Sequence, residues 1–474
     1  MKGFITNFVK VITLGFFIVQ IQGQKNSSLL RSGRPNVLFI AVDDLRDWVG
    51  HLGGRSQAKT PNIDRLAKRG ISFTRAYSPA PLCNPSRVSL ITGISPSQSG
   101  VYGNGEKLRD KLPNSVTLMQ HFRSSGYFVQ GSGKIFHEIG DGDPYSWDDY
   151  FVPKAKKMKI KRDPSLPKSA WVRWGPLDCS DDDLFDGKVA SWVVSQLEKP
   201  NKSPFFLACG FIKPHLPWFV PRKYFDLYPL ETIKLPPIIK GDLDDIPFFG
   251  KKLSMEVYDP SGERNFANQG GDHQNIISNN QWRKAIQAYL ATISFVDAQI
   301  GLVLDALEQS SYVDNTIIVL WGDHGWHLGE KEHWRKHALW EVSTRTPLIF
   351  SGPNAIEKDQ LCQRPVSLID IYPTLIDLCD LPKLKILDGQ SLAPLLENPQ
   401  RKWDTPVVMT YGPNNHAIKT ERWRYIQYHD GGQELYDHDQ DPNEWVNLAM
   451  FPEHQKMVRK LQGFLPATDN DKLE

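Results

Sequence analysis

The sequence predicts an α/β fold, in which helices sandwich a large, mostly parallel sheet and a smaller subdomain of short strands follows at the C-terminus. Three observations predict it. Continuous apolar runs at residues 36–42, 204–210 and 316–320 lack the alternation of a half-wet strand, as expected of strands buried on both faces. Residues 282–308 carry apolar side chains at helical spacing (Ile286, Leu290, Ile293, Val296, Ile300, Val303, Leu307), and shorter helical patterns lie between the strands. Short strand-like stretches at 407–410, 417–420 and 424–428 follow, separated by turn residues.

A chain of 474 residues can hold one large domain and a smaller one. Charged residues are 23% and the net charge is +2, which excludes the global basic field of a nucleic-acid binder. At the N-terminus, Lys2 and Lys10 flank a weak apolar start, and residues 11–19 form an apolar core too short to span a bilayer. It reads as a secretory signal cleaved near Gly23, with no following cysteine to take a lipid. The expectation is an exported protein, secreted or periplasmic (lysosomal in an animal source), with no membrane attachment after cleavage. The chain then divides into a signal peptide at 1–23, a main domain at 34–385 and a C-terminal subdomain at 386–474. Composition shifts to a linker near residues 388–399.

Taken in order, the first buried strand ends in Asp43-Asp44. Ligands gather beyond the carboxyl ends of strands in such sheets, and two adjacent carboxylates there suit a hard cation. The plain alternative is a solvated turn. Residues 60–70 have the punctuation of a short helix: Thr60 as cap, Pro61 in the first turn, Gly70 as stop. A second helix is read at 115–125, and a strand at 127–131 leads into Ser132-Gly133-Lys134-Ile135-Phe136-His137. Lys134 and His137, three apart, can point to one side; a surface lysine and a core histidine are the bland alternative. The basic run Lys154, Lys156, Lys157, Lys159, Lys161 and Arg162 reads as a solvated loop. A helix at 182–197 precedes the strand at 204–210, after which two prolines pin His215 in Lys213-Pro214-His215-Leu216-Pro217. Residues 230–280 have weak periodicity and read as long rim loops. The strand from 316 ends in Asp323-His324, repeating the arrangement at Asp43-Asp44.

The chain is organised around Cys83-Asn84-Pro85-Ser86-Arg87, which runs into Leu90-Ile91-Thr92-Gly93. Pro85 suits a first helical position, which puts Cys83 at a helix N-terminus, where free amides favour an anion. Arg87 adds a cation that can fork onto oxyanions. Taken alone, Cys83 reads more readily as a buried, inert thiol. Of the other cysteines, Cys179, Cys209, Cys362 and Cys379 allow three pairings, and the sequence does not choose among them.

This segment resembles the type I sulfatase signature, C-x-P-S-R followed by T-G, and other family segments follow in order along most of the chain. The pattern is most similar to iduronate-2-sulfatase-type members, which also have histidine at the position of His324. The resemblance implies the alkaline-phosphatase-like sulfatase fold, its C-terminal subdomain a small antiparallel sheet, and hydrolysis of sulfate monoesters of a sulfated glycan, with the 2-O-sulfate of a uronic acid leading. It implies that Cys83 is converted to formylglycine by a formylglycine-generating or anaerobic sulfatase-maturing enzyme. Asp43, Asp44, Cys83, Asp323 and His324 would hold one Ca²⁺. Arg87 and Lys134 would hold the hydrated aldehyde, His137 would deprotonate it, and His215 and Lys336 would bind sulfate, His215 also serving as acid. The alternatives are a phosphonate monoester or phosphodiester hydrolase of the same superfamily, or a non-catalytic glycan-binding relative.

Overall fold

A computed structural model describes residues 33–53, 57–154, 156, 172–201, 204–258, 264–266, 271–353, 356, 358–467 and 469. The signal segment at 1–23 and Lys157, Lys159, Lys161 and Arg162 of the basic run lie outside the described residues.

Nine strands make the main sheet: β1 (Asn36–Val42), β2 (Gly70–Tyr77), β3 (Phe128–Gly133), β4 (Asp149–Phe151), β5 (Phe205–Phe211), β6 (Thr316–Gly322), β7 (Arg345–Ser351), β8 (Gln360–Cys362) and β9 (Val366–Ser367). Their spatial order is β8-β2-β7-β6-β1-β5-β3-β4, with β9 also on β2. β1 lies between β5 and β6 and is parallel to both, and all three are fully buried, as their unbroken apolar runs require. β7 runs antiparallel to β6 and to β2. Two successive reversals leave β2 pointing the same way as β1, so its carboxyl end opens on the same edge of the sheet.

Helices cover both faces. On one side pack α1 (Pro61–Lys68), α3 (Phe185–Leu197) and α4 (Trp282–Gln309), whose stripe of Ile286, Leu290, Ile293, Val296, Ile300, Val303 and Leu307 is buried as its spacing predicts. On the other pack α2 (Cys83–Thr92), α5 (Ile371–Leu378) and α6 (Ala393–Glu397). The stretch read as a linker therefore contributes Leu392, Leu395 and Leu396 to the core. Residues 230–280, read as loops, contain helices at Phe248–Ser254 and Gly271–Ser278 and a strand pair, Glu256–Tyr258 with Arg264–Phe266. These elements are too short to show a period in the sequence.

Thr60 does not cap α1 with its side chain. The buried carboxylate of Asp297, from α4, accepts the N–H groups of Asn62 and Ile63 instead, at 3.1 and 2.8 Å. Four antiparallel strands, β10 (Val407–Thr410), β11 (His416–Lys419), β12 (Trp423–Gln427) and β13 (Gln433–Asp437), form the C-terminal sheet. α7 (Gln455–Gln462) packs Val458 and Leu461 on one face of it. The opposite face docks on Ala338, Leu339 and Trp340. At that junction buried Arg424 of β12 pairs with Glu341 (2.6 Å) and Glu444 (2.8 Å).

Candidate active site

The register of the sheet decides which residues meet. Val42 lies beside both Gly322 and Phe211, and Gly133 beside Gly210, so the chain leaves four parallel strands at one level. Asp43-Asp44, Asp323-His324, the 212–217 loop and Lys134 therefore emerge together. Gly133 has φ +90°, and a Cβ on either Gly133 or Gly210 would overlap the neighbouring backbone, so both glycines are needed where Lys134 leaves the sheet.

α2 brings the thiol to the same edge. The helix begins at Cys83 itself, after an extended Leu82, so Pro85 is its third residue and not its first. Proline is accommodated there because the amides of the first turn have no partner within the helix. All ten residues of α2 are buried, and Gly93 ends it at φ +70°. Cys83 is wholly enclosed; its Sγ lies 2.8 Å from Lys336 Nζ, 3.4 Å from His324 Nε2, 3.5 Å from Asp43 Oδ1 and 4.0 Å from Asp44 Oδ1.

Asp43, Asp44, Cys83 and His324 each offer a ligand atom within 4.8 Å of the others, a possible metal-binding set. Asp323 stands beside this set: its Oδ1 accepts the Asp44 N–H at 2.9 Å and lies 3.7 Å from His324 Nε2. Its Oδ2 pairs with Arg87 Nε at 2.9 Å. The donors fit a cation, because Asp44 Oδ2 is buried with no hydrogen-bond partner, an arrangement native interiors rarely leave unfilled. Two lysines bracket the acids: Lys134 Nζ is 2.5 Å from Asp43 Oδ2, and Lys336 Nζ is 2.7 Å from Asp44 Oδ1. Arg87 reaches Asp43 at 3.4 Å and donates to the carbonyls of Lys134 and Ile135.

Burial tends to raise the Asp43 carboxyl, but Lys134, His215, Arg87 and Lys336 outweigh it and hold the group well below its ordinary value. In Asp44 burial wins over Lys336 and His215, with help from the Asp43 and Cys83 charges, and the carboxyl is raised. For Cys83, burial and Asp43 push the thiol up, yet Lys336 and Lys134 bring it below its usual value. Burial and Lys134 push His137 down to about 4, and its Nδ1 is buried without a hydrogen-bond partner. His215 keeps 33% of its side chain open, with Nε2 3.9 Å from Asp44 Oδ2. Desolvation by the surrounding walls pushes it down to about 4. Against burial, Asp323 and Cys83 raise His324 to about 9.

Three supporting residues are given no role by the sequence, although Ser86 lies within the C-x-P-S-R motif. Asp186 of α3 takes the N–H groups of Ile212 and Lys213, both at 2.8 Å, clamping the loop that carries His215. Tyr289 of α4 donates to the Asp44 carbonyl (2.7 Å) and accepts from the Arg46 N–H (3.1 Å), pinning the turn in which Asp44 sits at φ +60°. Ser86 donates to the Asp323 carbonyl at 2.6 Å. The partners of Asp186 and Tyr289 lie far along the chain, so residue type alone does not reveal their bonds. All five cysteines are free, so none of the three pairings forms.

A family model described as Sulfatase matches residues 35–381, and one described as N-sulphoglucosamine sulphohydrolase, C-terminal, matches 329–471. A sulfatase of Formosa agariphila is 41% identical over 460 residues, covering 92% of this chain and 87% of that protein. Human iduronate 2-sulfatase is 32% identical over 393 residues, 73% of this chain and 69% of that one. A solved 2-O GAG sulfatase superposes with TM-score 0.72 at 25% identity, covering 91% of this chain and 90% of its own.

Proposed function

This chain belongs to the sulfatase family, a sulfuric ester hydrolase by that membership, and from that premise we propose that it removes the 2-O-sulfate from a uronic acid of a sulfated oligo- or polysaccharide. The likeness to iduronate 2-sulfatase and to a 2-O GAG sulfatase supports the choice of sugar and position. The observation that carries the mechanism is Lys336 Nζ, held between Asp44 Oδ1 and Cys83 Sγ at 2.7 and 2.8 Å. A fixed cation there faces both the nucleophile's position and the incoming sulfate oxygens.

In this reading Cys83 is oxidised to formylglycine. Cys83 has no exposed surface, so the maturing enzyme must reach it before the chain folds. Asp43, Asp44, Asp323 and His324, with residue 83, would hold Ca²⁺, their oxygen-rich set matching a hard ion. When present, the hydrated aldehyde supplies one hydroxyl to attack sulfur and a second whose deprotonation releases sulfate, while the cation neutralises oxygen charge. The remaining work belongs to the chain's own side chains. Arg87 and Lys134 keep residue 83 and Asp43 in register through their ion pairs. His137, neutral because its pKa is pushed down to about 4, accepts a proton from residue 83. Lys336 binds sulfate. His215 gives its proton to the departing sugar oxygen, an anionic substrate beside it favouring the charged imidazole. Export is part of the same proposal, supported by the short apolar run at residues 11–19.

Purified, matured protein assayed on disaccharides carrying 2-O-, 6-O- or N-sulfate, beside an aryl phosphodiester, tests this reading. Turnover of the 2-O-sulfated uronate alone is the expected result. Turnover of only the phosphodiester would make it a phosphodiester hydrolase of the same superfamily.

A further inference from the structure

Lys336 is carried by a loop with an unusual backbone. Lys331, Glu332, Arg335 and His337 all have left-handed φ, from 49° to 77°, and two of them flank Lys336. Residues other than glycine enter that region rarely, and they persist there when surrounding contacts over-determine them. Several contacts fix the loop's outer part. Lys331 pairs with Asp242 at 2.6 Å, Arg335 pairs with Asp272 at 2.7 Å, and Trp334 Nε1 donates to His273 Nδ1 at 3.1 Å. None of these touches the lysine that faces the nucleophile.

A side chain of the loop itself does, at the backbone. His333, 1% exposed, folds back so that its Nε2 lies 2.6 Å from the carbonyl oxygen of Lys336, while Nδ1 lies 3.3 Å from the Ser254 carbonyl. His327 and Trp340 stand edge-on to the ring, with centroids 5.0 and 6.4 Å away, and limit its rotation. Burial pushes His333 down to about 4, so near neutral pH it carries a single ring proton, and the shorter contact takes it.

We infer that His333 is a positioning residue: by donating from Nε2 to the Lys336 carbonyl it fixes the backbone from which the Lys336 ammonium reaches Cys83 and Asp44. The inference rests on the reading that Lys336 acts at residue 83. A flexible four-carbon side chain holds two contacts of 2.7 and 2.8 Å only if its anchor is fixed. Without His333 the buried carbonyl loses its donor, and the strained turn is free to relax.

The test is steady-state kinetics on an aryl sulfate with wild type, Lys336→Ala, His333→Ala, His333→Gln, His333→Asn and the double variant His333→Ala/Lys336→Ala. Lys336→Ala should lose roughly 10²–10³-fold in kcat, as for removal of one group that stabilises developing charge. His333→Ala should lose about 10- to 100-fold in kcat, the range that misplacing a catalytic group produces. The amide nitrogen of Gln reaches the place of Nε2, so His333→Gln should stay within about 3-fold of wild type, whereas Asn, whose amide sits at Nδ1, should resemble Ala. With Lys336 gone, His333→Ala should add no further loss, the non-additivity of residues acting as a unit. Gln no better than Asn, or a full additional loss in the double variant, would overturn the inference; the Gln and Asn comparison decides even if the Ala protein does not fold. A fully active Lys336→Ala enzyme would instead overturn the reading of Lys336 itself.

Discussion

The backbone N–H of Asp44 donates to Oδ1 of Asp323 across 2.9 Å, joining residues 279 positions apart in the chain. This bond locks the carboxyl ends of β1 and β6 together. It leaves the second oxygen of Asp323 to the buried Arg87 guanidinium.

Asp323→Ala would take from Arg87, which has no exposed surface, the nearer of its two carboxylate partners, leaving Asp43 at 3.4 Å. Breaking a buried pair by removing one partner costs about 3–5 kcal/mol, and urea unfolding should show a loss of that size together with lost activity. Asp323→Asn, which keeps an acceptor for Asp44, should lose less stability.

Chelation should act on the same group. Asp43, Asp44 and Asp323 crowd one buried volume, and a cation bound only in the fold stabilises it by mass action, about 2.7 kcal/mol at 100-fold excess over its Kd. EGTA should therefore lower both Tm and activity, and Ca²⁺ should restore them; an unchanged Tm would argue against a resident ion.

Acid should loosen the fold through its buried imidazoles. Burial holds His273 and His333 down at about 4, whereas in the unfolded chain they titrate near about 6.5. Their folded pKa values are depressed, so their contribution is full above the unfolded value and is lost as pH falls through about 4. Urea midpoints should decline from pH 7 to pH 4.5, and His273→Gln should flatten part of that decline. A flat profile would contradict the assignment.

Leu396 has no exposed surface and packs with Leu392 and Leu395 beneath the sheet. Leu396→Ala should cost about 2–5 kcal/mol, measured by urea unfolding, if the segment is core and not tether. Its sequence reads as a tether because the helix is only five residues long, contains Pro394, and is followed by a polar stretch with Pro399 and Pro406.

What the sequence reveals here follows from what is local. Asp43, Asp44, Asp323 and His324 are legible because an unbroken apolar run marks a buried strand, and the residues just past its carboxyl end must face any ligand. Cys83 and Arg87 are legible through their motif. The reversal of β7 is not, since Pro347-Leu348-Ile349-Phe350 is equally apolar in either direction. Asp186, Tyr289 and His333 are isolated polar residues whose meaning comes from distant carbonyls and amides. The left-handed φ of Arg335 and His337 leaves no trace in residue type.

Peptide mass spectrometry of residue 83 in fully active enzyme, matched to its turnover of a sulfate ester, tests the central claim most directly. The account predicts an aldehyde at that position in proportion to activity. An unmodified Cys83 thiol throughout an active preparation would contradict it.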